Sequence, residues 1–175
     1  MNDVFDGYKY DKETESSPLL SKKKYLIDYA KFVAREGAKS NINNINVIDM
    51  DSLKDSLVYT PTPKSMDLVL IASKSKVYGK NTKMDFKYIL ADFKFNITSL
   101  DKVDKNISND DIKGKFNFTV EYIHSVDSEK QVFDTAFFIF KDNNFEQIKN
   151  RWQRRHLNNP KNLALKKSDF EIIFQ

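Results

Sequence analysis

The sequence predicts an α+β fold, with N-terminal helices packed on a curved, cone-like antiparallel β-sheet and one further helix near the C-terminus. Three observations predict it. Apolar residues recur at helical spacing through the first third of the chain. After Pro63 they alternate with the period of two that puts one face of a strand against a core. The core stock is aromatic, 14 Phe and 8 Tyr, with only 4 Gly and 4 Pro, so sharp backbone devices are few.

Residues 1–16 are polar apart from Phe5, Tyr8 and Tyr10 and read as a flexible leader, which leaves 17–175 as a single domain. Ser17-Pro18 is a helix start, because the hydroxyl caps and proline at the first helical position lacks only an N–H that would be orphaned anyway. Leu19, Leu26, Tyr29, Ala30 and Val33 then mark one buried face, and Gly37 offers a left-handed closing residue. Asp49 to Val58, with acidic residues first and Leu53 and Leu57 four apart, reads as a short second helix ended by Pro61 and Pro63.

Leu68 to Ala72 is a continuous apolar run suited to a strand. Met84, Phe86, Tyr88 and Leu90 alternate, and Phe93, Phe95 and Ile97 continue on the other parity, so a bulge or bend is expected at Ala91-Asp92. Asn109-Asp110-Asp111 reads as a turn, and Ile112 to Val126 as a strand with Phe116, Phe118, Val120 and Tyr122 alternating. Gln131 to Lys141 is the next strand. A helix capped by Asn143 or Asn144 runs to about Leu157, with Phe145, Ile148 and Trp152 as its apolar stripe. Asn158-Asn159-Pro160 stops it, and Phe170, Ile172 and Phe174 alternate in a final strand.

Composition excludes several chemistries. Without cysteine there is no disulfide, thiolate nucleophile or cysteine metal site, and 2 His make a histidine-rich centre improbable. So few glycines argue against a phosphate cradle built from a glycine loop. No run approaches the roughly 20 apolar residues of a membrane-spanning helix, and the polar N-terminus has no signal-peptide core. Sequons at Asn96, Asn106 and Asn117 are what an Asn-rich chain contains by chance.

The two histidines read as structural: His124 ends an alternating row, and His156 lies beside a helix C-terminus, where the dipole favours a cation. Asp49, Asp51 and Asp55 fit a helix's solvated start better than a calcium loop, for no glycine or terminal Glu completes the pattern. No catalytic residues, metal or cofactor are therefore expected. The net charge is +4, yet Lys141 to Lys167 holds eight basic residues against Asp142 and Glu146. Three of the chain's four arginines, Arg151, Arg154 and Arg155, fall there with Lys149 and form the candidate partner-binding patch, able to grip phosphate or carboxylate.

The helix Tyr29-Ala30-Lys31-Phe32-Val33-Ala34-Arg35-Glu36, with Asn159-Pro160 ahead of a last strand, resembles the bitopic scaffold family of type IV secretion and conjugation machines, which have the cone-shaped fold of nuclear transport factor 2. The resemblance implies a non-enzymatic assembly factor acting through contacts with other subunits and with its own copies. In that family an N-terminal helix absent from these residues anchors the domain at the outer face of the inner or cell membrane; without the resemblance a cytoplasmic protein is expected. The alternative is a nucleic-acid-binding module using the basic helix 144–157.

Overall fold

The computed structural model describes residues 4–20, 23–57, 63–106, 108–156 and 161–175. Met1, Val58, Pro61, Leu157 and the Asn158-Asn159-Pro160 stop lie outside them. Among the described residues seven strands form one mixed sheet: β1 (Lys9–Tyr10), β2 (Leu26–Asp28), β3 (Asn46–Asp49), β4 (Leu68–Tyr78), β5 (Asn81–Phe93), β6 (Gln131–Phe140) and β7 (Lys161–Lys166). Six α-helices accompany them: α1 (Tyr29–Arg35), α2 (Met50–Asp55), α3 (Leu100–Asn106), α4 (Asn109–Val126), α5 (Phe145–Arg155) and α6 (Lys167–Phe170). The strand order is β2-β3-β4-β5-β6-β7, with β1 also on β4. Strands β2 to β5 pair antiparallel, whereas β5-β6 and β6-β7 are parallel.

This corrects the expected architecture. The sheet is not an antiparallel cone with helices on its concave side; it has helices on both faces and a parallel half. The physical reason lies in α4. Residues 112–126 are a helix, not a strand, so the chain crosses over between β5 and β6 and must re-enter the sheet parallel. Buried Ile112, Thr119 and Ile123 follow helical spacing, while Phe116, Phe118 and Tyr122, which mimic alternation, are only half-buried flanks of that stripe. Asn109-Asp110-Asp111 is the helix's first turn, capped by the Ser108 hydroxyl on the Asp111 N–H.

Two cores result. One, beneath α2, α4 and α5, gathers Ile48, Val69, Tyr88, Leu90, Phe138, Phe140 and Trp152. The other, on the opposite face, packs Tyr29, Phe32 and Val33 of α1 against Leu70, Phe93, Phe137 and Phe170. Phe5 and Tyr8, ahead of Ser17, are buried in this second core.

The long first helix is also corrected. Leu26–Asp28 pairs with β3, and α1 starts only at Tyr29, where the Asp28 carboxylate accepts from the Lys31 N–H. Gly37, at φ +84°, closes it as expected. The final strand is β7, not 170–174; Phe170 and Ile173 are buried three residues apart because that segment is helical. The expected bulge lies not at Ala91-Asp92 but between Tyr88 and Leu90, where β6 carries extra residues; Asp92 keeps the parity of Leu90.

Candidate functional site

Polar groups converge at the end of the sheet where β5, β6 and β7 finish. In an α/β sheet this carboxyl end, beside the strand where parallel pairing begins, is where ligands usually sit. The β4–β5 register sets Leu68 opposite Ala91, and one residue further it brings Asp67 across from Asp92. Both side chains therefore leave the sheet on the α4 face. Asp92 is fully buried and Asp67 nearly so.

Two lysines meet them. Lys115 of α4 donates to Asp92 Oδ2 at 2.7 Å and to Asp67 Oδ1 at 3.3 Å, and Lys94 pairs with the other Asp92 oxygen. The Phe93 N–H donates to Asp67 Oδ2 at 2.7 Å. Thr119, one turn beyond Lys115, bonds the Met66 N–H at 3.0 Å and so ties the start of β4 to α4. Two clefts flank the cluster. One, of about 370 Å³, is lined by Glu36, Asp67, Phe93, Lys94 and Asn96; the other, of about 230 Å³, by Lys64, Asp92, Lys94, Asp111 and Lys115.

The electrostatics follow from crowding. Burial and the neighbouring Asp92 charge push the Asp67 carboxyl up to about 8, against the opposing pull of Lys94 and Lys115. Burial also opposes charge on Asp92, but the two lysines outweigh it and hold that carboxyl below its ordinary value. Lys115 is likewise raised, the two carboxylates overcoming its burial. Among the described residues no three His, Cys, Asp or Glu side chains form a metal cage. The donor set here is instead two facing carboxyls bridged by the Lys115 ammonium. Mg²⁺, which takes one or two carboxylates and completes its shell with water and substrate phosphate, would have to displace that ammonium and ionise Asp67.

The Asp67 shift has a measurable consequence. With the folded value near 8 and the ordinary one at 3.8, the native state binds more protons than the unfolded chain between those limits, so this group lowers stability as pH rises through that window. Asp67→Asn in a chelating buffer is expected to melt higher than the native protein, with the gap widening from pH 5 to pH 8. A variant that melts lower at pH 8 would show Asp67 to be stabilising instead.

The residues singled out from the sequence lie elsewhere. Arg151, Arg154 and Arg155 are exposed on α5, and Lys149 is half-buried over the Phe145 ring. None of the four lines either cleft of the cluster. Trp152, between the arginines, is fully buried against Phe138 and Phe140, and its indole N–H donates to Asn162. His124 is exposed on a helix and not at a strand end. His156 is buried; its Nδ1 bonds Asn109 Oδ1 at 2.6 Å, and burial, helped by Arg155, pushes it down to about 4. It is thus a neutral core imidazole, not a cation on the helix dipole. Asp49 caps α2 and pairs with Arg35.

Asp67 and Asp92 were missed because 25 positions separate them. The available signal was Asp92 itself, a carboxylate on the parity of Met84, Phe86, Tyr88 and Leu90, two residues before Lys94. Compared with family models, curated proteins and solved structures, the chain matches none.

Proposed function

We propose that the protein hydrolyses phosphodiesters of nucleic acid with a divalent cation that Asp67 and Asp92 would take in exchange for the Lys115 ammonium between them. The observation that carries this reading is the facing pair of buried carboxylates, neutralised by Lys94 and Lys115 and open to two clefts. A buried ion cluster is a poor way to gain stability, since well-packed apolar residues do as well or better. Strongly perturbed carboxyls beside a cleft support a site there.

A cation there would supply Lewis acidity and a water acidified toward neutrality. Asp67 and Asp92 would hold it, and Lys94 and Lys115, released from the carboxylates, would meet the charge that builds on the phosphate. Water attacks phosphorus and forms one P–O bond as the bond to the leaving ester oxygen breaks. The water's proton is lost to solvent and the leaving oxygen gains one, so a phosphate monoester and a free hydroxyl result.

This places a nucleic-acid function at the sheet's end and not on α5. The scaffold reading drew on a conical sheet; with that architecture corrected, its remaining support is the Tyr29–Glu36 motif, whose Tyr29, Phe32 and Val33 are core residues here, and Asn159-Pro160, which lies outside the described residues. The test is incubation of labelled single- and double-stranded DNA and RNA with the protein in Mg²⁺, Mn²⁺ or chelator. Cleavage is expected with metal, falling by at least about a hundredfold in Asp92→Asn and in Lys94→Ala with the fold retained. Absence of cleavage in either metal, with no Mn²⁺ binding by calorimetry, would overturn the assignment.

A further inference from the structure

At the opposite end of the same two strands, β4 and β5 leave the sheet together. The partners of β4 in β1 end at Ser73, and those of β5 in β6 begin at Lys87. Beyond them five register pairs, Lys74↔Asp85, Ser75↔Met84, Lys76↔Lys83, Val77↔Thr82 and Tyr78↔Asn81, continue as a two-stranded ribbon turned by Gly79, at φ +62°. Every residue from Val77 to Met84 is exposed, including Val77 at 73%, Tyr78 at 59% and Met84 at 51%. The pairing sorts the side chains by face. Lys76, Tyr78, Asn81 and Lys83 share one with Asp85, which pairs with Lys76, and line a shallow cleft; Ser75, Val77, Thr82 and Met84 share the other.

We infer that this ribbon is a duplex-DNA contact that enters a groove with its Lys76–Tyr78–Asn81–Lys83 face. Charge complementarity selects the occupant. From Lys74 to Lys87 there are five lysines and one aspartate, which matches the +4 of the whole chain. Lysines also blunt a free strand edge against self-pairing, but that role gives no reason to expose Tyr78 and Met84 beside them. A two-stranded ribbon fits the major groove. Lys76, Lys80 and Lys83 would meet phosphates and displace counterions, while the tip residues Tyr78 and Asn81 offer hydroxyl and amide groups to base edges. The inference rests on the nucleic-acid reading of the carboxylate site only for the class of partner. Eleven residues of β4, roughly 36 Å at about 3.3 Å each, separate Tyr78 from Asp67, so the two sites can be altered independently.

The experiment is a fluorescence-anisotropy titration of a labelled 30-base-pair duplex in chelator, so that binding is read without cleavage. Native protein is expected to bind. Lys76→Ser/Lys80→Ser/Lys83→Ser is expected to bind at least tenfold more weakly, with a salt dependence shallower by close to three phosphate contacts. Tyr78→Ala is expected to weaken binding while leaving the salt slope alone. Melting curves check that these exposed changes keep the fold. Native protein that fails to bind, or a triple variant that binds as native, would overturn the ribbon assignment whether or not cleavage occurs. So would sedimentation showing a dimer that Tyr78→Ala dissociates, since the ribbon would then pair with a second copy. Binding by the ribbon without cleavage would instead count against the carboxylate site alone.

Discussion

Val33→Asp is expected to lower the melting temperature by roughly 10 °C or more. Val33 is fully buried in the core beneath α1, between Phe32 and the apolar face of the sheet. A carboxylate there either ionises without a partner or stays protonated at the cost of its hydration, and both outcomes cost about 4 kcal/mol or more. The helix cannot turn the side chain outward. It is only seven residues long, and Tyr29 and Phe32, on the same stripe, are buried as deeply. A thermal melt followed by circular dichroism checks this; an unchanged midpoint would mean that α1 does not pack as described.

Trp152→Ala is expected to cost about 3–5 kcal/mol, the price of a large cavity that its neighbours only partly fill. The Trp152 ring lies tilted at 4.8 Å from Phe138 and edge-on at 5.2 Å from Phe140, and it also touches the His156 ring, so its removal unsupports three aromatic groups together. It is the sole tryptophan, which makes the native emission a direct probe. Denaturant unfolding of Trp152→Ala, followed by circular dichroism, gives the loss. Emission from the native protein should be blue-shifted, resist iodide quenching, and stay unchanged on adding oligonucleotide. Quenching by oligonucleotide would mean that Trp152 is not interior.

The elements legible in the sequence are those in which local pattern and tertiary burial agree. In α5 the stripe Phe145, Ile148, Trp152 is the buried stripe. In β4 the unbroken run Leu68 to Ala72 is buried on both faces, as a central strand demands. Helix α4 was misread because its aromatics fall on even positions, which imitates a strand, while the residues that determine its orientation are Ile112, Thr119 and Ile123. Ser108 followed three residues later by Asp111 was the better guide, being a cap that no strand requires. The first helix was drawn too long because periodicity has no term for pairing: Leu26–Asp28 finds hydrogen-bond partners in β3, far along the chain.

The site was less legible for the same reason. Nothing local connects Asp67 with Asp92; only hairpin pairing does. Conversely, the basic run in α5 was plain in the sequence, yet the tryptophan that made it suggestive is interior.

The distance between the two carboxylates is inherited from the periodicity of a backbone. Facing residues in antiparallel strands lie about 4.5–5.5 Å apart at Cα whatever side chains they carry. The gap therefore tolerates substitution around it, but not slippage. A shift of one residue between β4 and β5 sends one carboxylate through to the opposite core while its partner stays behind. Chains in that alternative pairing would retain every strand and helix and have no facing pair at all. The fraction of molecules competent at this site is thus a readout of strand register, which bulk secondary-structure signals do not resolve.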